Sequence, residues 1–472
     1  MRRPIASTIV GVTLAVSACA PSEPDPQQQT SAVISNRNLD LLFMIDNSSS
    51  MRLSQTNLTT SFPAFMDAVK NLPGGLPNLH VAVISSDMGV GDGTVTGCAK
   101  TGDAGKFHFQ PTGTCTATTI LNGAGYISYG ANGAGNFTAP DISTVFSCIA
   151  ALGDTGCGFE RPFASVLRAL GADDRPAPSE NAGFLRSDAL LAIVMVTNED
   201  DCSVRDGVNL YDVTSNTVLS STFGPPSNYR CNEFGHICDG VRPPRLAPGG
   251  DVNATVTLNS CGSSECDGSL IPVAEFTARI KALKAAPASE VMVAAITGPA
   301  TPYTVHWKAP SVADSGPWPE ITHSCTASDG SFADPAVRIT DLVTAFGANG
   351  AAYSICDTNF GAALQQLAAR IGTLLDAGGG AGGSAGRIPN CAVTGIGGQS
   401  GAGGGGAGGA SSSTGGHGPS DDGGVYPPPV SNGCGCQAGG ADAGGLGPGV
   451  AWAVSVWLAG RRRRVSGPAR RG

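Results

Sequence analysis

The sequence predicts an α/β domain built on a doubly wound, mostly parallel sheet. Three observations carry this expectation. Four short runs, 39–45 (LDLLFMI), 79–84 (LHVAVI), 190–196 (LLAIVMV) and 291–296 (VMVAAI), are almost continuously apolar, as strands buried on both faces must be. Helical patterns at 62–70, 163–170 and 273–283 fall between them, and alternation of strand and helix is the signature of parallel pairing through crossover helices. Glycine, 67 of 472 residues, concentrates after residue 377, so the packed part is shorter than the chain and holds one domain with long loops.

From the start, Met1, Arg2 and Arg3 form a basic beginning, and 5–16 is an apolar stretch too short to span a bilayer. Together with the Val16-Ser17-Ala18-Cys19 that follows, this reads as an export signal. Those four residues resemble a bacterial lipobox, which implies lipidation of Cys19 as the mature N-terminus. The plainer alternative is an ordinary signal cut at small residues, with Cys19 incidental. Residues 1–19 are thus a lipoprotein-type signal, and 20–37, polar and Pro-containing, a tether.

The domain is expected over 38–376. After the fourth apolar run come a helical pattern at 336–346, a short strand near 352–354 and a helix at 360–375. Two stretches break the alternation: 87–144 and 202–272 are long, Gly-rich and Cys-bearing. Loops of that length carry function or need staples. Both begin at the carboxyl end of an expected parallel strand, the edge where open α/β sheets bind ligands. The second is expected beside the binding edge; the first contains an edge hairpin and ends farther away.

Cysteine usage fits export. Of 15 cysteines, Cys19, Cys434 and Cys436 lie in the end segments; the other twelve are Cys98, Cys115, Cys148, Cys157, Cys202, Cys231, Cys238, Cys261, Cys266, Cys325, Cys356 and Cys391. An even set in an exported chain reads as disulfides. No Cys-x-x-Cys pair occurs among the twelve and the histidines are scattered, which disfavours zinc. The pairing is left open; Cys231 with Cys238 and Cys261 with Cys266 are only the nearest neighbours in sequence.

Residues 377–433 are Gly, Ala and Ser of low complexity. They have too little apolar surface to pack a core and read as a disordered spacer with a root-mean-square reach of about 40 Å. In 434–472, Cys434-Gly435-Cys436 precedes an apolar segment, 446–459, and the basic run 461–464. An apolar segment before a basic cluster holds a tail in the inner membrane. The order resembles the MYXO-CTERM sorting tail of myxobacterial surface proteins, which implies cleavage and transfer to the surface, with Cys434 and Cys436 as the sorting signal. A simple tail anchor is the alternative. The expected location is the bacterial envelope, at the outer membrane or cell surface, with membrane attachment through the lipid, the tail or both.

The net charge is −9. Without the eight arginines and one aspartate of the two end segments, 20 basic residues face 36 acidic ones, a net charge of −16. This argues against nucleic acid as a partner.

The chemistry sits at the end of the first strand, in Asp46-Asn47-Ser48-Ser49-Ser50. A carboxylate and two hydroxyls spaced around a tight turn can converge on one hard cation, which takes oxygen ligands. Because hydroxyls are neutral, the ion stays under-compensated and attracts a carboxylate from outside. This pattern in this place resembles the metal-ion-dependent adhesion site (MIDAS) of the von Willebrand factor type A (vWA) family, a Rossmann-like fold. The resemblance covers about 38–375 outside the two insertions and implies a distant Thr in a Gly-rich turn and an Asp after the fourth strand. Gly153-Asp154-Thr155-Gly156 offers Thr155. After 190–196 the chain reads Thr197-Asn198-Glu199-Asp200-Asp201, so Asn198 stands at the Asp position, with Asp200 or Asp201 as compensating acids. The implied metal set is Asp46, Ser48, Ser50, Thr155, Asn198 and Asp200, for Mg²⁺, Mn²⁺ or Ca²⁺. Plainer roles exist for each: helix capping for Asp46, Ser48 and Ser50, a turn for Thr155, a non-ligand for Asn198, solvated acids for Asp200 and Asp201. Ser85-Ser86-Asp87, which ends the second strand, reads as a turn.

The expected function is a surface adhesion module in which the metal edge captures an acidic group on a surface or extracellular protein. The alternative is a passive coat lipoprotein with a degenerate metal site; a metal-dependent hydrolase is a minor third. No enzyme is expected. Phosphoryl-transfer enzymes with an aspartate at this place need a second acid two residues on as general acid, where this chain has Ser48. None of the six histidines has a catalytic-triad context.

Overall fold

The computed structural model describes residues 37–376, apart from 92–94, 96, 111–114, 116–122, 215–217 and 311–315. Cys19, Cys391, Cys434 and Cys436, the tether, the glycine spacer and the sorting tail lie outside the described residues.

The four apolar runs become β1 (Asn38–Ile45), β2 (Asn78–Ser85), β4 (Ala189–Val196) and β5 (Val291–Thr297). With β3 (Ile127–Tyr129) and β6 (Gly350–Ser354) they make one six-stranded sheet in the order β6-β5-β4-β1-β2-β3. All neighbours are parallel except β3, which runs antiparallel to β2 at the edge. β1 and β4 occupy the middle, and each is buried along its whole length.

Successive side chains of a strand point to opposite faces, and the two faces carry separate cores. Leu39, Leu41, Phe43 and Ile45 of β1 join α1 (Arg52–Lys70), α2 (Ile142–Ala150) and α6 (Gly361–Asp376). Leu42 and Met44 join α3 (Pro162–Leu170), α4 (Val273–Lys281) and α5 (Val337–Ala345). In the first core Phe43 meets Phe62, Phe65 and Phe146, with the Phe62 and Phe146 rings stacked at 3.6 Å. The mixed α/β architecture around a mostly parallel sheet therefore follows the apolar pattern.

The structure departs from the sequence reading in four places. α1 starts ten residues before the expected 62, because its first half buries polar Ser54, Gln55 and Ser61 and leaves no apolar stripe. α2 was not anticipated. β6 starts at Gly350, where any Cβ would lie 1.9 Å from the Val343 carbonyl oxygen. A second, antiparallel sheet was also not anticipated: Thr255–Leu258, Tyr303–Lys308 and Trp318–Ile321 pair around a small core of Tyr303, Val305 and Trp307.

Disulfides join Cys98 to Cys157, Cys115 to Cys148, Cys202 to Cys231, Cys238 to Cys261 and Cys325 to Cys356. Cys266 is also disulfide-bonded. Neither short pair forms: Cys231 lies within the helix Tyr229–Gly235 and Cys238 follows it, and the two go to different partners. Each insertion is thus tied back to the sheet edge by its own bridge, from Cys98 to Cys157 and from Cys202 to Cys231. Among the described residues no helix is long and apolar enough to cross a membrane.

Candidate functional site

Register brings the site together. Ile45 of β1 pairs with Ser85 of β2 and with Val196 of β4, so the next residues, Asp46, Ser86 and Thr197, emerge side by side at the carboxyl edge. The Asp46 carboxylate is fully buried. Its Oδ1 accepts from the Ser48 backbone N–H at 2.8 Å and the Ser86 hydroxyl at 3.3 Å, and its Oδ2 from the Thr197 hydroxyl at 2.7 Å. Burial pushes this carboxyl up from its ordinary range, and the bonds from Ser48, Thr197 and Ser86 pull it back. Ser85-Ser86-Asp87 is therefore more than a turn, since Ser86 anchors Asp46.

The turn after Asp46 returns two hydroxyls to the same place. Ser48 Oγ and Ser50 Oγ are 3.3 Å apart, and the Ser50 hydroxyl donates to Asn198 Oδ1 at 3.1 Å. The Asn198 amide nitrogen donates to the Phe332 carbonyl at 3.1 Å, in the hairpin Cys325–Thr326 / Phe332–Ala333. That bond turns the amide oxygen, rather than the nitrogen, toward the serines. Four of the residues singled out from the sequence, Asp46, Ser48, Ser50 and Asn198, thus stand in one chain of contacts.

Thr155 is placed less directly. Its turn is zipped to the end of β1: the Gly156 N–H donates to the Asn47 carbonyl at 2.8 Å, and Gln55 bridges the Asp46 and Gly153 carbonyls at 2.8 Å each. A Cβ at Gly156 would fall 2.2 Å from Asn47 Oδ1, so a larger residue here would have to displace that side chain. Thr155 itself is exposed at the rim.

Asp200 goes elsewhere. Its Oδ2 accepts from the Arg338 backbone N–H at 2.8 Å and contacts His236 Nε2 at 2.8 Å; its Oδ1 accepts from the Ile339 N–H at 3.1 Å. It fills the N-terminal amides of α5, which has no side-chain cap of its own, where an anion is favoured. Burial raises its carboxyl, but His236 and the Arg338 amide outweigh that and hold it below the usual range. Asp201 does the same for α3, accepting from the Phe163 N–H at 3.0 Å, and pairs with buried Arg338 at 3.1 Å. Neither is a solvated loop acid, and neither faces the serines. The His236–Asp200 pair is no catalytic relay to a serine: the other ring nitrogen contacts Tyr303 Oη at 2.8 Å.

Two acids with no role in the sequence reading belong to the site. Glu160 is 2% exposed, and its Oε1 has no hydrogen-bond partner. Burial first, and then the charges of Glu199 and Asp46, push its carboxyl well above the ordinary range. Glu199 accepts from Asn228 at 2.9 Å; burial and the charges of Asp334 and Asp46 push it up as well. The sequence signal was faint: a lone Glu two residues before the Pro that opens α3, and a Glu in the place where the vWA pattern has Gly.

The donor set is all oxygen, as a hard divalent cation requires, and two buried oxygens at the site, Glu160 Oε1 and Asn47 Oδ1, lack partners. Among the described residues no three or more His, Cys, Asp and Glu side chains converge closely enough to hold an ion. A cation here would depend on a mixed set of carboxylate, hydroxyl and amide oxygens, and these residues fit one.

No protein-family model matches the chain, and no curated protein matches it. Among solved structures, the chain is similar to the pilus adhesin SpaC from Lactobacillus rhamnosus GG in its open conformation, with 14% identity and a TM-score of 0.27, covering 71% of this chain and 30% of the adhesin. It is also similar to a mutant of the minor pilin PilB from Streptococcus sanguinis, with 13% identity and a TM-score of 0.28, covering 75% of this chain and 64% of the pilin. The chain therefore spans less than two thirds of either relative. Superpositions this partial transfer no function.

Proposed function

We propose that the chain is an exported, surface-held binding module of vWA type. In this reading a divalent cation held by Asp46, Ser48, Ser50 and Asn198 captures a carboxylate of a surface or extracellular protein. The observation that carries it is the run of oxygens from Asp46 through Ser48 and Ser50 to Asn198, with the serine and amide steps at 3.1–3.3 Å, at the edge where parallel sheets bind ligands. The strand order, with its antiparallel edge strand β3, supports the vWA assignment. Thr155 is the remaining family position; its turn is held against the strand end, and its exposed hydroxyl stands at the rim. Asp200 is left out of the ligand set, since its oxygens serve α5 and His236.

When bound, the ion supplies an electrophilic centre for a partner's carboxylate. The chain's own residues do the rest. The amide and hydroxyls around Asp46 hold its carboxylate in one orientation. Neutral Ser48, Ser50 and Asn198 add ligands without adding charge, which favours an incoming anion. Export through the 1–19 signal, lipidation at Cys19, and retention through Cys434, Cys436 and the tail are the proposed route to the cell surface.

A second reading has one observation behind it. Asn198 is already satisfied by Ser50 and Phe332, so the same contacts can close the edge without metal, leaving a passive coat protein. Thermal unfolding of the full oxidised chain in Mg²⁺, Mn²⁺, Ca²⁺ and chelator separates the two. A ligand of the folded state adds RT ln(1 + [L]/Kd), about 2.7 kcal/mol at a hundredfold excess over Kd. The adhesion reading expects a metal-dependent rise that Asp46→Ala abolishes; no rise with any of the three ions favours the passive one.

A further inference from the structure

We propose that Glu160 supplies the negative charge that Asn198 lacks, so that a cation at Asp46, Ser48 and Ser50 is balanced from the turn before α3. The inference rests on the metal reading above and adds to it a residue and a charge that neither the adhesion-site motif nor its spacing contains.

The placement of Glu160 is fixed by the fold. Its carbonyl accepts from the Cys202 N–H at 2.8 Å, and the next amide, of Arg161, donates to the Ser86 carbonyl at 3.1 Å. These two bonds tie the turn to Ser86, the residue after β2, and to Cys202, in the loop that follows β4. Both flanks are pinned. Pro162 opens α3 on one side, and on the other Cys157 is bonded to Cys98 while the buried Phe159 ring packs 4.9 Å from Tyr211. The backbone that carries the side chain is thus fixed, and the residue is 2% exposed.

The charge inventory then asks for a cation. A buried polar atom without a partner costs free energy, and such an atom in a native structure calls for an explanation, an ion among them. Glu160 Oε1 is such an atom. Ser86, whose carbonyl takes the Arg161 amide, also donates its hydroxyl to Asp46 Oδ1 at 3.3 Å, so the Glu160 turn is one contact removed from the carboxylate that would hold the ion. Asp46 alone brings one negative charge toward a doubly charged ion, and Ser48, Ser50 and Asn198 bring none. Glu160 is the buried acid beside it with an oxygen to spare.

The test is Mn²⁺ titration of the full oxidised chain, read by the electron-paramagnetic signal of free Mn²⁺, with thermal unfolding in chelator as a second readout. Glu160→Gln is expected to weaken Mn²⁺ binding at least tenfold. In chelator it is expected to unfold at a higher temperature than the wild type, because an uncompensated acid is gone. Asn198→Asp in the Glu160→Gln background is expected to restore binding to within threefold of the wild type. If Asp46→Ala abolishes binding while Glu160→Gln binds within twofold of the wild type, this inference falls and the metal reading stands. The inference also falls if Asn198→Asp gives no recovery, or if Glu160→Gln is less stable than the wild type in chelator, since Glu160 would then be a structural partner. If the wild type binds no Mn²⁺, both fall.

Discussion

Asp200→Ala separates the two roles open to that residue. The substitution strips the Arg338 and Ile339 amides of α5 of their acceptor and leaves the His236 ring without its carboxylate, all in a buried setting. Hydrogen bonds to a charged group contribute about 1.5–3 kcal/mol each, and the contacts with Arg338, Ile339 and His236 all end on this carboxylate. Because these contributions overlap at one carboxylate, a total of about 4 kcal/mol is expected. At about 2.1 cal/mol/K of unfolding entropy per residue, over roughly 340 residues, this lowers the melting temperature by about 6 °C. Calorimetry in chelator reads the loss, and Mn²⁺ titration of the folded protein reads the site. Stability should fall while Mn²⁺ affinity changes by less than threefold. A stability loss below about 1 kcal/mol would refute the capping role, and a tenfold fall in affinity of the folded variant would restore Asp200 to the ligand set.

Two further outcomes follow from contacts away from the serines. Burial of the His80 ring, whose Nδ1 lies 2.8 Å from the Phe184 carbonyl, pushes its imidazole from 6.5 down to about 4. Between those values the unfolded chain takes up a proton that the folded one refuses, so stability falls with pH across that window, by up to about 3 kcal/mol. Urea midpoints at pH 7 and pH 4 should show this loss reduced in His80→Gln, and an equal loss in both proteins would count against it. Removing the Cys98–Cys157 bridge, which spans 59 residues, by the double change to Ser should cost about 4 kcal/mol on chain-entropy grounds. Mn²⁺ affinity should weaken with it, because the bridge ends two residues past Thr155; unchanged affinity would show that the turn holds its place unaided.

Much of the fold was legible because its central strands are covered on both faces, and such strands admit few polar residues. Where burial is shared with polar groups the pattern fails. The first half of α1 buries Ser54, Gln55 and Ser61, so it reads as surface. The second sheet was missed for the opposite reason: Tyr303–Lys308 alternates buried and partly exposed residues, but Gly- and Pro-rich neighbours mask the period. The same division runs through the site. Asp46, Ser48, Ser50 and Asn198 sit within a few residues of strand ends, so local sequence places them. Asp200 and Asp201 are neighbours in sequence, yet one caps α5 and the other α3, a choice that only the packed helices make. Glu160 becomes a site residue because its turn is bonded to Ser86 and Cys202, both distant in sequence, and no local motif records that.

The central claim is capture of a carboxylate by a cation held at Asp46, and water-proton relaxation of the Mn²⁺-loaded full chain tests it most directly. Titration with acetate, standing in for an acidic side chain, should lower the relaxation enhancement in a saturable way as carboxylate replaces ion-bound water, and Asp46→Ala should show no bound-ion signal. A Mn²⁺-loaded wild type whose enhancement is indifferent to acetate would contradict the claim and leave the metal, if bound, as a structural fastening of the sheet edge.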